Sequence, residues 1–355
     1  MTDFDVAIVG GGPAGTAAAL TLLRYSKLRP VVIERSSYEE WRVGETLAPG
    51  VVPLLAYLGA EGVIDAELRA YGTSAAWGSD AVVSRAFLFT GAGDAWHLDR
   101  RRFDAALAEL VRERGGTLLT NATIESIDER WTLRLNDGTA ISAPFVIDAS
   151  GRHAAFARRQ GAHAEIVDHL TGLAGIFDGA EDGDSSTLVE SFEDGWWYSA
   201  RLPDGKLVAA LMTDADVVRA GRLHEREAWH ELLSRTRATR ARVAPRRLTH
   251  DPVVCPAHSQ IATPVAGAGW AAAGDAAVAF DPLSSMGIGY ALASGIQAAR
   301  VAATPSAEML ESYAKDVRRH FDAYLARRAA YYAIEQRWPE SPFWQRRREP
   351  RSGER

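Results

Sequence analysis

The first chemistry legible in the chain lies in Gly10-Gly11-Gly12-Pro13-Ala14-Gly15, where glycines take the spacing G-x-G-x-x-G and an acid, Glu34, follows about twenty residues on. Gly10 permits a tight turn, Gly12 lacks the Cβ that would block a pyrophosphate, and Gly15 lets helix and strand pack closely. Glu34 can accept from a ribose hydroxyl, a charge-assisted bond of roughly 1.5–3 kcal/mol. A second stretch lies far downstream, where Ala271 to Gly289 runs A-A-A-G-D-A-A-x-x-x-D-P-x-x-x-x-G-x-G. Asp275 can accept from a polyol chain, and a helix starting near Gly287–Gly289 presents N–H groups to a polar ring edge. Between them, Val146 to Arg152 reads as a strand running into D-A-S-G-R.

These groups need elements to hold them. Phe4 to Val9 reads as a short apolar strand, Ala14 to Arg24 as a helix, and Val31 to Ile33 as a second strand ending on Glu34. The helix N-terminus adds partial positive charge, worth ~0.3–2 kcal/mol toward an anion. That unit is a dinucleotide site, and it suits NAD and FAD alike. A second carboxylate at the end of a distant strand, followed by a glycine-rich helix start, suits a long flavin. Asp275 would hold its ribityl chain.

The rest of the chain falls into readable segments. Trp41 to Pro49 is an ordered loop suited to a ligand contact, and Val51 to Leu58 and Ile64 to Arg69 read as helices around Gly59. Ser74 to Leu98 holds two or three strands, and Arg102 to Arg114 is a helix with Phe103, Leu107, Leu110 and Val111 as its buried stripe. Thr117 to Asp128, Trp131 to Leu135 and Thr139 to Ser142 are strands around an Asn136-Asp137-Gly138 hairpin turn. Val189 to Phe192, Trp196 to Arg201 and Lys206 to Thr213 alternate like an antiparallel sheet, and His224 to Thr236 reads as an amphipathic helix. Ile261 to Pro264 and Trp270 to Gly274 are apolar strands, followed by helices at Tyr290 to Thr304 and Ala307 to Gln336. Arg337 to Arg355 reads as a loosely held basic tail. Isolated His97 and His258 suit local hydrogen bonds, and Cys255 a buried small hydrophobe.

Composition narrows the partners. A chain of 355 residues, 47% apolar and 24% charged, has room for two domains and an ample core. Its net charge of −6 argues against broad nucleic-acid binding. The single cysteine excludes an internal disulfide and suits a reducing, cytoplasmic setting. No apolar run approaches the ~20 residues of a membrane span, so no membrane partner is expected. Asp3 and Asp5 lead straight into the first strand, so no signal peptide is expected either. Lysine is confined to Lys27, Lys206 and Lys315; every other basic side chain is arginine.

Gly10–Gly15, the Arg-x-Gly-Glu loop at Arg42–Glu45, Arg100-x-x-Phe-Asp104, Asp148–Arg152 and Gly274–Gly289 together resemble the FAD-dependent aromatic hydroxylases and the flavin-dependent tryptophan halogenases. The resemblance implies an α/β fold: a glutathione-reductase-type FAD-binding Rossmann domain with an inserted antiparallel β-sheet substrate domain and a C-terminal helix. The FAD-binding parts are then expected at 1–73, 99–165 and 261–304, the substrate-domain parts at 74–98 and 166–260, and the C-terminal helix and basic tail at 305–355. Carried over by motif, Gly10, Gly12, Pro13, Ala14, Gly15, Glu34 and Arg35 would hold the AMP half of FAD. Arg42 and Arg100 would contact the phosphates or ribityl, and Asp275 the ribityl hydroxyls. Pro282, Gly287, Ile288 and Gly289 would lie against the isoalloxazine. Trp77, Trp196, Tyr198 and Glu45 are expected to line the catalytic cavity, and no metal is expected.

The same resemblance implies chemistry. Reduced FAD would meet O₂, form a C4a-hydroperoxide and hydroxylate an electron-rich aromatic group of indole or phenol type. Halogenases of this family carry a lysine shortly after the Arg-x-Gly-Glu loop, and no lysine stands between Lys27 and Lys206. Their W-x-W-x-I-P segment is altered too: Gly195-Trp196-Trp197-Tyr198-Ser199-Ala200-Arg201-Leu202-Pro203 lacks the second Trp and the Ile-Pro. Arginine does not replace an ammonium point charge. Monooxygenation is therefore favoured over halogenation, with dehydrogenation or reduction of a C=C bond as a further alternative. Gly195–Thr213 and Glu335–Trp344 are similar to flavoproteins that mature tryptophylquinone enzymes by oxygenating a tryptophan in a partner protein. The expected substrate is an aromatic small molecule, or a peptide, protein or carrier-bound group. The reductant is NAD(P)H or a partner flavin reductase, since a single dinucleotide fingerprint leaves no separate NADPH domain.

Overall fold

Val6–Val9 and Pro30–Ile33 are buried at every position, as strands covered on both faces must be. In the computed structural model, which describes residues 2–87, 93–128, 131–179, 184–244 and 246–348, they lie at the centre of a six-stranded sheet. The order across it is Ala266–Gly267, Trp270–Ala272, Phe145–Asp148, Val6–Val9, Pro30–Ile33, Thr117–Leu119, all parallel except the first. Val9 is level with both Ile33 and Asp148, and Asp148 with Ala272. Gly10, Glu34, Ala149 and Ala273 therefore all leave the sheet at one carboxyl edge, where open α/β sheets bind ligands.

Small residues close this layer. Helix Pro13–Tyr25 packs on helix Gly287–Ala303 so tightly that a Cβ on Gly295 would fall on the Ala14 carbonyl. A Cβ on Gly15 would likewise fall on the Gly10 carbonyl oxygen. The two glycine-bearing segments, remote in sequence, are thus neighbours in space.

The second large sheet is almost wholly antiparallel. Its path runs Arg247–Leu248, Leu170–Asp178, Leu207–Asp214, Gly195–Arg201, Thr187–Phe192, Gly72–Ala76, Val83–Ala86, with Val253–Pro256 also paired to Leu170–Asp178. Only Thr187–Phe192 against Gly72–Ala76 is parallel. Period-two alternation sorts its faces. Trp197, Leu211 and Phe177 pack with Trp229 beneath the short helices Ala215–Gly221, Arg226–Ser234 and Ala238–Val243. Trp196, Ala200, Val208 and Met212 face the other way, toward Trp41, Val43, Leu283 and the C-terminal Tyr332, Phe343 and Trp344.

Some expectations need correction. Thr117 to Asp128 is two strands rather than one, Thr117–Leu119 in the parallel sheet and Ile124–Ile127 in a separate four-stranded sheet. Ile64 to Arg69 is not a helix: a 3-10 turn at Glu61–Ile64 gives way to strand Leu68–Ala70, which pairs with Ala95–His97. Left-handed Gly59 ends the preceding helix, and cross-strand pairing then outweighs local propensity. The basic tail is not loose as far as it is described. Pro342–Arg348 is a helix with Phe343 and Trp344 buried, and its arginines find Asp214 and Asp216 of the sheet domain. Of the strands expected within Ser74 to Leu98, Gly72–Ala76 and Val83–Ala86 join the large sheet, while Ala95–His97 lies in a small one with Thr46–Leu47 and Leu68–Ala70. The remainder, 88–92, lies outside the described residues. Among the described residues no helix is long and apolar enough to cross a membrane.

Candidate functional site

Two helix N-termini open at the carboxyl edge of the parallel sheet. Helix Pro13–Tyr25 starts after Gly12 and helix Gly287–Ala303 after Met286, and neither has a side-chain cap or an acid in its first turn. Their first N–H groups and positive dipole ends are thus available to an anion or a polar ring edge. A Cβ on Gly12 or on Gly287 would meet nothing within 4 Å, so the space beside each is unfilled by protein. Ile288 is buried, and Gly289 lies close to Val51. Pro282 is exposed on the turn that leads into this helix.

At the other end of the crevice both oxygens of Glu34 are engaged, by the Gly11 and Ser36 N–H groups, the Ser36 hydroxyl and Arg42. Its Oε2 accepts from Gly11 N at 2.7 Å, and its Oε1 from Ser36 N at 3.0 Å. Burial raises its carboxyl, but Ser36, the Gly11 N–H and Arg42 outweigh that and hold it below its usual value. Arg35, next in the chain, is exposed. Arg42 and Arg100 converge on a carboxylate that motif reading quoted but gave no role. Asp104 is 1% exposed, pairs with Arg100 at 2.9 and 3.0 Å, and lies 3.3 Å from Arg42. Arg100 also donates to Val43 O at 3.1 Å. The two arginines therefore lock the Arg42–Glu45 loop onto helix Arg100–Glu113.

Asp275 stands between these ends. Burial raises its carboxyl and Arg152 and Arg100 oppose, yet 40% of its side-chain surface is accessible. A group that is both enclosed and reachable lies on the floor of a crevice. Arg152, at 3.6 Å from Asp275, is held there by the carbonyls of His258 and Phe280. The D-A-S-G-R turn is itself pinned by Asp148, which accepts from Ser150, Phe156 and Ala157 N–H groups.

Over the crevice comes the sheet. Thr46 Oγ1 and Tyr198 OH are 2.8 Å apart, joining strand Thr46–Leu47, which follows the Arg42–Glu45 loop, to strand Gly195–Arg201. Glu45 is 3% exposed, and its Oε1 has no hydrogen-bond partner among the described residues. Burial pushes its carboxyl up to about 7, against the N–H groups of Glu45 and Gly44 and the charge of Arg100. Burial and the nearby Glu45 charge raise the Tyr198 phenol as well. Trp196, on the same strand face as Tyr198, lies edge-on to Trp77 in a cluster with Tyr332 and Trp344. His97 pairs with Thr187 and His258 with Gln260. Among the described residues no group of three or more His, Cys, Asp or Glu side chains is arranged to hold a metal.

The raised Glu45 carboxyl makes stability depend on pH. Its folded value near 7 exceeds the ordinary 4.5, so the native state holds the proton more tightly than the unfolded chain. The penalty is absent below about pH 4.5, grows between 4.5 and 7, and levels at roughly 3 kcal/mol above. Glu45→Gln is therefore expected to gain on the wild type by up to about 3 kcal/mol as pH rises from 4 to 8. Urea midpoints across that range measure it, and a pH-independent difference would refute it.

Arg328 and Tyr332 have no role in the reading of the sequence, where Asp281 stands only as part of the D-P motif and the burial of Trp344 is not foreseen. The available signal was the four-residue spacing of Tyr324, Arg328 and Tyr332, which puts them on one helix face.

Comparison with known proteins agrees with this geometry. The tryptophan halogenase family profile matches residues 81–355. The putative FAD-dependent oxidoreductase LodB of Marinomonas mediterranea is 32% identical over 98% of this chain and 97% of its own length. The flavin-dependent halogenase CmlS superposes with a TM-score of 0.86 at 26% identity, over 99% of this chain and 69% of that one. The peptidyl tryptophan dihydroxylase QhpG, essential for tryptophylquinone cofactor biogenesis, gives 0.75 at 25% identity, over 98% of this chain and 79% of that one. The profile match over most of the chain and a relative 32% identical across almost its full length show that the chain belongs to the tryptophan halogenase family and is an FAD-dependent oxidoreductase.

Proposed function

We propose that this protein is a monooxygenase that hydroxylates an electron-rich aromatic ring, with a tryptophan side chain of a partner polypeptide as its substrate. The observation that carries this is the composition of the crevice roof. Glu45, Thr46 and Tyr198 meet there, and no lysine stands anywhere between Lys27 and Lys206 to direct a hypohalous acid. QhpG, similar over nearly the whole chain, supports a peptidyl tryptophan.

The crevice fits FAD on the chain's own terms. The open space at Gly12 and the free N–H groups of Pro13–Tyr25 suit a pyrophosphate, with Pro13, Ala14 and Gly15 shaping the turn. Glu34 and Arg35 take the AMP end, Arg42 and Arg100 the phosphates or ribityl, and Asp275 the ribityl hydroxyls. Pro282, Gly287, Ile288 and Gly289 face the ring system. Reduced FAD, when bound, activates O₂ and supplies an electrophilic oxygen atom to the substrate. The protein orients the ring and keeps water out, with Trp77 and Trp196 stiffening the aromatic side of the sheet. The attacked carbon gains oxygen and releases its proton, which Glu45 Oε1 accepts. A carboxyl near 7 is matched to that task at neutral pH.

Reducing equivalents come from NAD(P)H or from a partner flavin reductase. Halogenation is the second reading, favoured by the family itself and by CmlS. Mass spectrometry of candidate partner polypeptides, incubated with enzyme, FAD, reductant, O₂ and chloride, separates them. A gain of one or two oxygen atoms on a tryptophan is expected. A chlorine isotope pattern, or unchanged mass with every candidate, would overturn the proposal.

A further inference from the structure

The turn before helix Gly287–Ala303 is held from outside itself. Asp281 is fully buried; its Oδ1 accepts from Leu283 N at 2.9 Å and its carbonyl from Ser284 N at 3.0 Å, which closes the turn. Its remaining groups reach helix Ala307–Ile334. Oδ2 accepts from Tyr332 OH at 2.7 Å and from Arg328 Nε at 3.0 Å, and the backbone N–H donates to Tyr324 OH at 2.8 Å. Tyr332 OH has a second partner on a different element. It accepts from Trp196 Nε1 at 3.0 Å, on strand Gly195–Arg201 of the covering sheet. One hydroxyl thus joins the sheet to the turn, accepting on one side and donating on the other. Its ring cannot drift, since it is fully buried between the Arg328 and Arg347 guanidiniums and edge-on to Trp77.

We propose that Tyr332 is a positioning residue that sets the Asp281–Met286 turn against the flavin and ties that turn to the substrate sheet. It acts through Asp281 and touches no reacting atom. The proposal rests on FAD occupying the crevice as argued above. Because the link is shared, whatever shifts Trp196 shifts the turn, and the coupling is reciprocal. Phenylalanine at 332 keeps the packing but leaves the Trp196 N–H without its acceptor and Asp281 without one donor.

Tyr332→Phe and Trp196→Phe, each as the full chain, test this against wild type by FAD titration and by the absorbance spectrum of the bound flavin. Tyr332→Phe is expected to bind FAD roughly tenfold more weakly, the effect of one lost bond to a charged group, with a shifted spectrum. Trp196→Phe, altered only on the sheet, is expected to shift the spectrum in the same direction. A purely structural role would lower the unfolding midpoint of the apoprotein and leave both readouts unchanged. Variants that bind FAD with wild-type affinity and spectrum overturn this inference alone. A wild-type chain that takes up no FAD overturns the cofactor assignment and this inference together.

Discussion

Gly12→Val is expected to leave the chain folded and strip it of flavin. A Cβ at residue 12 meets nothing in the protein, and the residue's φ of −73° suits any side chain. The cost to stability is then that of a changed helix-cap residue, about 1 kcal/mol. The added atoms instead fill the space a pyrophosphate would take at the helix N-terminus. Overpacking costs of ~1–3 kcal/mol, with lost N–H contacts, put the FAD affinity at least about 100-fold down. Gly15 provides the contrast: there a side chain strikes the Gly10 carbonyl oxygen and breaks the turn itself. FAD titration beside urea denaturation reads both quantities. A Gly12→Val protein that binds FAD at wild-type affinity would remove the glycine turn from the site.

Asp214→Ala is expected to be the most destabilising change on the C-terminal side, at about 3–5 kcal/mol. Arg347 and Asp214 each have a side chain 2% exposed and are joined by two bonds of 2.7 and 3.2 Å. Arg346 adds a third contact at 2.9 Å. Without the carboxylate, a guanidinium is left in a low-dielectric site with Phe343 O as its hydrogen-bond acceptor among the described residues, two aromatic rings beside it and the Asp168 charge nearby. The loss comes from an uncompensated charge rather than from the pair's net worth, so removing both charges should restore most of it. Asp214→Ala with Arg347→Met is thus expected to be markedly more stable than Asp214→Ala alone by chemical denaturation. A single mutant within ~1 kcal/mol of wild type would show that water reaches Arg347.

What could be read from residues alone was what depends on neighbours in sequence or on a ligand's shape. Gly10 to Gly15 with Glu34 is a local pattern whose geometry each residue type enforces, so the turn, its helix and both strands were legible. Asp275 and Gly287–Gly289 were picked out for a different reason: a flavin's length would demand a second set of contacts. The alternation of Trp196 and Trp197 marked a strand, but not which ring faces the crevice side, because that depends on which helices cover the sheet. The pairing of Asp281 with Tyr332, and of Asp214 with Arg347, joins residues remote in the chain, and no local signal encodes it. An arginine-rich end reads as solvated when its acids lie elsewhere; Asp214 and Asp216 supply them here. Ile64 to Arg69 misled for the same reason, since the partner strand at Ala95–His97 decides its form.

The strand order of the parallel sheet also bears on how the protein is made. Phe145–Asp148 lies between Val6–Val9 and Trp270–Ala272, so the layer cannot be completed until most of the polypeptide has left the ribosome. At ~5–20 residues per second, Val6–Val9 waits roughly 7 to 30 seconds for Phe145–Asp148 to cover its open edge, and that strand waits about as long again for Trp270–Ala272. Production in cells should therefore respond to translation speed and to chaperone supply.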